Sequence, residues 1–281
     1  MKFGVHAFLW TATFDESNLD LFPMVKQWGF DGLEVPLFDP RTFPSAGIRR
    51  TLEAHAMGCT VSAVMVDGLS LISEDADVRR RARAHLADAI KAVAEAGASV
   101  LAGPLYSPVG YLPGRRRTSD EWRWAVEGYR ELVPVLETYG VNLAIEPLNR
   151  FETYFLNTAA DAVALVEEVA HPRVGVLLDT FHLNIEEKDL GAAYRLAGPR
   201  LKHVHTCEND RGTPGTGHVE WDAVFAALRE IGYDGWLTIE SFGFALGGIS
   251  AAASIWRDLE SSPDRIATEG IKFLRRMAGQ A

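Results

Sequence analysis

Four residues in the second half of the chain have the types and spacing to do chemistry together: Glu146, Asp179, His205 and Glu240. Each closes a short apolar run. The runs are Asn142-Leu143-Ala144-Ile145-Glu146, Val176-Leu177-Leu178-Asp179, Leu201-Lys202-His203-Val204-His205 and Trp236-Leu237-Thr238-Ile239-Glu240. Taken singly, such an acid is more often a helix cap or a salt-bridge partner than a ligand. Gathered at one rim, three carboxylates repel one another unless some are protonated or a cation sits among them. Three carboxylates and one imidazole, with no thiolate, suit a divalent ion such as Mn²⁺, Co²⁺ or Mg²⁺ rather than a structural zinc. With such an ion the set keeps about one net negative charge by simple addition, so a neutral polyol is a better companion than a second anion.

The elements that would gather these residues recur along the chain. Eight β-like apolar runs fall at 3–8, 32–35, 61–66, 99–103, 142–146, 174–179, 201–206 and 236–241. Helical stretches separate them at 19–28, 48–57, 77–96, 120–139, 159–170, 190–197, 221–231 and 265–277. In the third stretch Val78, Ala82, Leu86, Ala89, Ile90 and Val93 form one apolar stripe, and Gly97 stands where a left-handed cap belongs. Thr118-x-x-Glu121 and Thr158-x-x-Asp161 resemble capping boxes, the second weaker for its Asp. Strand starts recur roughly every 30 to 40 residues, the size of a βαβ unit. Eight such units close most economically into a single (β/α)₈ TIM barrel spanning residues 1–281, with its chemistry at the carboxyl ends of the strands. His203 shares a strand face with His205 and should lie one layer deeper, as a buried core histidine behind the metal. Glu34, at another strand end, is expected to pair with a cation or orient a ligand.

Composition narrows the partners. The chain has 28 basic and 38 acidic residues, a formal charge of −10, which disfavours nucleic acid. Cys59 and Cys207 make neither a disulfide framework nor a zinc motif. The uncharged stretch 241–256 falls short of a membrane span and reads as a loop running into a helix. A cytoplasmic protein with no membrane partner is expected. Arg115-Arg116-Arg117 reads as a solvated or subunit-contacting loop beside the rim, and Gly212-x-x-Gly215-x-Gly217 as a flexible loop placing Arg211.

The rim set resembles the xylose-isomerase-like sugar isomerase and epimerase superfamily, and within it the ketose 3-epimerases of the D-tagatose and D-allulose group. The segments that carry the likeness are Glu146-Pro147-Leu148-Asn149-Arg150-Phe151-Glu152, Leu178-Asp179-Thr180-Phe181-His182, His203-Val204-His205, Glu208-Asn209-Asp210-Arg211-Gly212 and Ile239-Glu240-Ser241-Phe242. Gly103-Pro104-Leu105-Tyr106 also looks like that group. The resemblance runs the length of the chain and implies the following roles. Glu146, Asp179, His205 and Glu240 would bind the metal, Mn²⁺ before Co²⁺ or Mg²⁺. Glu146 and Glu240 would double as the acid/base pair that inverts C3 of a free ketose through an enediolate. Glu152, His182 and Arg211 would hold oxygens near carbons one to three, and Phe242 would pack against the sugar. A homodimer or homotetramer is implied as well. In the first half His6, Trp10, Met65 and Asp67 do not align, so the contacts to the far end of the sugar stay open.

The same ligands would also serve an aldose–ketose isomerase of the hydroxypyruvate type or an inosose dehydratase. A DNA phosphodiester hydrolase of the endonuclease IV branch would need more histidine ligands and a basic groove. A non-catalytic sugar-binding barrel would hold metal and ketose without exchanging the C3 proton.

Overall fold

A computed structural model describes residues 1–280. Its strands are β1 (Lys2–His6), β2 (Gly32–Leu37), β3 (Gly58–Ala63), β4 (Val100–Gly103), β5 (Asn142–Ile145), β6 (Val174–Asp179), β7 (Leu201–His205) and β8 (Trp236–Ile239). They pair in parallel in chain order, and β8 pairs with β1 to close the cylinder. The helices are α1 (Leu21–Gln27), α2 (Ser45–His55), α3 (Ala76–Glu95), α4 (Ser119–Tyr139), α5 (Ala159–Val169), α6 (Thr180–Glu186), α7 (Leu190–Ala197), α8 (Trp221–Glu230), α9 (Gly248–Ala252) and α10 (Pro263–Met277). This is the (β/α)₈ barrel expected from the alternation of runs. Among the described residues no helix is long and apolar enough to cross a membrane.

Local chemistry sets the element ends. Thr118 and Glu121 form the expected capping box at α4: the Glu121 N–H donates to Thr118 Oγ1 (3.1 Å) and the Thr118 N–H to Glu121 Oε2 (2.7 Å). At α5 only half a box forms. Asp161 N–H donates to Thr158 Oγ1, but the Asp161 carboxylate turns to Arg117, whose Nη2 lies 2.7 Å away. Gly97 adopts φ +86° just past α3, as its type predicts.

Two expectations shift. The run at 61–66 overshoots: β3 covers Gly58–Ala63, and its first residue pairs with Gly32 of β2. The floor of the barrel explains the early start. The Trp236 indole lies over both glycines, and a Cβ at either would fall 2.6 Å from its ring. β1 likewise stops at His6 rather than running to Phe8, because the Phe8 N–H donates to His6 Nδ1 (3.0 Å) and begins a short 3₁₀ turn. The stretch 241–256 does run into a helix, the five-residue α9.

Candidate active site

Strand ends do deliver the four rim residues to one place. Glu146, His205 and Glu240 line a cavity of ≈ 230 Å³ at the carboxyl end of the barrel, together with Glu152, His182, Arg211 and Phe242. Asp179 lies fully buried against it. Asp179 also shows that the bland role and the chemical one can share a side chain. Its Oδ1 accepts the Phe181 N–H (2.7 Å) and so caps α6, while Oδ2 turns into the site.

His205 fixes the geometry. Its Nε2 faces Glu34 Oε1 at 2.6 Å, across the barrel. Its Nδ1 faces the acids: 3.4 Å from Glu240 Oε2, 3.8 Å from Glu146 Oε1 and 3.9 Å from Asp179 Oδ2. Both His205 Nδ1 and Glu146 Oε1 are buried without a hydrogen-bond partner. Buried polar atoms are seldom left so. An imidazole nitrogen within 3.9 Å of three carboxylates is a donor set that suits a divalent cation; of these four atoms, His205 Nδ1 and Glu146 Oε1 are unpartnered, while Arg211 holds Asp179 Oδ2 and Glu240 Oε2. The residues therefore fit a metal ion.

Glu34 emerges as more than a rim carboxylate. It is fully buried. Thr60 Oγ1 donates to its Oε2 (2.5 Å), His203 Nε2 stands 2.5 Å from the same oxygen, and His205 takes the other. Burial disfavours the ionised form, but the charges and hydrogen bonds of His203 and His205 outweigh it and hold Glu34 well below the ordinary range. With Glu34 Oε1 accepting from its Nε2–H, His205 turns Nδ1 toward the three acids. Glu34 thus pairs with the two β7 histidines, and His203 is buried one layer below His205, as its strand position predicts.

The guanidinium of Arg211 reaches into the acidic cluster. Nη1 donates to Asp179 Oδ2 (2.7 Å), Glu240 Oε2 (2.8 Å) and Cys207 Sγ (2.9 Å). Its plane lies over the Phe181 ring at 4.1 Å and near Phe242 at 5.3 Å. Electrostatics separate the two glutamates. Burial raises the Glu146 carboxyl well above its usual range; the charges of Glu240 and Asp179 add to this, and His205 only partly offsets it. Burial acts on Glu240 too, but His205 and Arg211 outweigh it and hold that group low.

His182 sits beside this cluster, its Nε2 3.8 Å from Glu146 Oε1 and from Asp179 Oδ2. Its Nδ1 accepts the Asn149 backbone N–H (3.2 Å), and Asn149 Nδ2 lies 2.9 Å from the same atom and donates to Glu152 Oε1 (2.8 Å). Asn149 thus ties two expected sugar contacts together. It stands in the segment just after β5 that carries the family likeness, yet nothing in its type marked it out. Burial, against the pull of Asp179, lowers the His182 pKa and favours the neutral ring.

The other half of the wall was not legible. His6, Trp10, Met65 and Asp67 are absent from the lining. His6 is buried beneath it, its Nε2 2.6 Å from Ser62 Oγ; Trp10 turns outward to Asp264; Met65 is buried in the core. Phe8, Phe38, Ser62 and Val64 line the cavity instead, and Phe8 stacks on Phe242 at 5.4 Å. Of the arginine run, Arg115 pairs with Glu121 (2.8 Å) and Arg117 with Asp161, so two of the three brace the loop. The same loop sends Val109 into the cavity.

Comparison with known proteins agrees with the barrel fold. The family described as "Xylose isomerase-like TIM barrel" matches residues 22–277. A probable ketose 3-epimerase of Synechocystis sp. is 38% identical, over 98% of this chain and 96% of its own. A D-allulose 3-epimerase from Methylomonas sp., solved with D-allulose, superposes with a TM-score of 0.93 at 28% identity, over 99% of this chain and 97% of that one. A D-psicose 3-epimerase from Clostridium cellulolyticum, solved with D-tagatose, gives 0.91 at 32% identity, over 99% of both chains.

Proposed function

Because the chain belongs to the xylose isomerase-like TIM barrel family, we propose that it is a divalent-metal-dependent epimerase that inverts C3 of a free ketose. Its similarity to ketose 3-epimerases over nearly the whole chain makes it a carbohydrate isomerase. One observation supports the finer reading. His205 Nδ1 and Glu146 Oε1 are buried, unpartnered and aimed with Asp179 and Glu240 into the cavity that Arg211 and His182 share. Glu146, Asp179, His205 and Glu240 would hold the ion, Mn²⁺ ahead of Co²⁺ or Mg²⁺.

When bound, a divalent cation stabilises negative charge developing on the former carbonyl oxygen. The chain supplies the proton transfers. Inversion at C3 needs one base to take the proton and a second acid, on the other face, to return one. Glu146 follows β5 and Glu240 follows β8, so they approach a centrally held sugar from different strands. Each alternates between acid and base with the direction of reaction. Removing the C3 proton leaves an enediolate. Arg211, always charged, donates to its oxygens from a fixed position. His182, held by Asn149 at Nδ1, presents Nε2 to a substrate oxygen. Glu152 accepts a hydrogen bond from a substrate hydroxyl, and Phe242 packs against the sugar.

The test is a panel of free ketoses, D-fructose and D-tagatose among them, incubated with Mn²⁺ in D₂O. The expected result is deuterium at C3 with the C3 epimer as product, lost on chelation. Aldose or dehydrated products would overturn the assignment in favour of isomerisation or water loss. A homodimer or homotetramer would cover Tyr111, Leu112 and Phe151, which stand exposed on adjoining rim loops; sedimentation gives the mass. Two buried, free cysteines suit the reducing cytoplasm in which we place the enzyme.

A further inference from the structure

The loop from β7 to α8 carries Arg211, and a buried acid that takes no part in the reaction organises it. Glu208 is fully buried, and among the described residues no cation pairs with it. All its side-chain partners are N–H groups. Oε1 accepts from the Asn209 N–H (3.2 Å) and the Val219 N–H (3.0 Å). Oε2 accepts from the Gly215 N–H (2.7 Å) and from Trp221 Nε1 (3.0 Å). These donors span the loop from its fourth residue to the first turn of α8. The loop is wrapped around one carboxylate.

The wrapping is tight. At Gly217 a Cβ would fall 2.0 Å from Asn209 Oδ1 and 2.7 Å from the Glu208 side chain, so only glycine passes there. Arg211 sits on the inner turn with φ +65°, a left-handed conformation that a residue with a Cβ adopts only when its surroundings hold it. The Arg211 N–H donates to the Glu208 carbonyl (3.0 Å), and Ser241 Oγ donates to the Arg211 carbonyl (2.5 Å). From that turn the guanidinium reaches Asp179, Glu240 and His182.

An isolated buried carboxylate is costly, and a site that needed only bulk would hold an apolar residue. Four N–H donors need four acceptor positions, which an ionised carboxylate has and an amide lacks. We propose that Glu208 is a positioning residue for the epimerisation: by gathering the N–H groups of its loop it sets where the Arg211 guanidinium stands. The inference rests on the reading of Arg211 as a donor to substrate oxygens. It adds the element that makes that donor rigid.

A double-mutant cycle with Glu208→Gln and Arg211→Ala tests it. Glu208→Gln keeps size and burial but turns an NH₂ toward two of the N–H groups. It should lower kcat/KM about 10- to 100-fold, mainly through kcat. In the Arg211→Ala background the same change should cost almost nothing. A merely structural role predicts the opposite, an equal loss in both backgrounds, and that result overturns the proposal. A second measurement does not depend on turnover. In the intact protein Arg211 is 5% exposed, so trypsin should cut after it slowly. Glu208→Gln should speed that cut at least tenfold while cleavage at other sites is unchanged; an unchanged rate also overturns the proposal. If no ketose exchanges its C3 proton in the wild type, the functional reading fails, and the proteolysis still decides whether Glu208 places Arg211.

Discussion

The two halves of the barrel divide the work differently. From β5 to β8 every strand ends in, or is followed at once by, a charged or ionisable group at the cavity: Glu146, His205 and Glu240 in its lining and Asp179 buried behind it. From β1 to β3 the ionisable groups lie beneath the cavity, and the surface is mostly aromatic and apolar. His6 and Glu34 are fully buried, while Phe8, Phe38 and Val64 form the wall. The link between the halves is Glu34, which reaches across the barrel to His205. One half would do the chemistry and the other would hold it in place.

The largest expected effect tests the working half. On the proposed mechanism Glu240→Gln or Glu146→Gln removes a base that would also ligate the ion, and C3 deuterium exchange should fall by about 10²- to 10⁴-fold. Unaltered far-UV circular dichroism would show the barrel intact. Exchange at the wild-type rate in either variant would remove that glutamate from the mechanism.

Next is the strut between the halves. Gln at 34 can accept from only one of His203 and His205 with its single oxygen. Glu34→Gln should therefore weaken Mn²⁺ binding about 10- to 100-fold, read by calorimetry on the metal-free protein. The thermal shift that saturating Mn²⁺ produces should shrink in step. If affinity is unchanged, Glu34 is only packing and the division between the halves loses its connection.

The division also explains what could be read from the sequence. Glu146, Asp179, His205 and Glu240 were legible because an apolar run that ends in a polar residue announces a strand end, and barrel chemistry collects there. Glu34 was legible as a rim acid but its partner was not. His205 lies 171 residues away, and only barrel closure brings the two together. Asn149 and Ser62 carry no signal of their own, since their importance is a matter of which ring nitrogen they face. The start of β3 was misplaced for a related reason. Gly58 looks like a turn residue until the Trp236 ring is seen to require a flat strand beneath it. Periodicity reports which way a side chain points along its own element; it is silent on the partner across the barrel.

That floor gives a third, more modest prediction. Gly32→Ala would set a methyl 2.6 Å from both the Gly58 carbonyl oxygen and the Trp236 ring. Overpacking of this kind costs about 1–3 kcal/mol. Denaturant titration should show that loss with little change in Mn²⁺ affinity, because the floor lies at the opposite end of the strands from the proposed ion site. A loss of metal binding as large as that of Glu34→Gln would mean that strain travels the length of the barrel.

The smallest effect is a control on all the others. Thr118 caps α4 and exchanges two hydrogen bonds with Glu121. Losing the hydroxyl frees only the Glu121 N–H, while the Glu121 carboxylate keeps the Thr118 N–H, Arg115 and Tyr154 Oη. Thr118→Ala should then cost only about 1 kcal/mol, a fall in Tm of roughly 2–4 °C for a chain of this size. Activity per folded molecule and Mn²⁺ affinity should equal the wild type's at 25 °C. If this purely peripheral loss slows exchange, a fall in rate after Glu34→Gln could no longer be assigned to His205, and direct metal binding would have to carry the comparison alone.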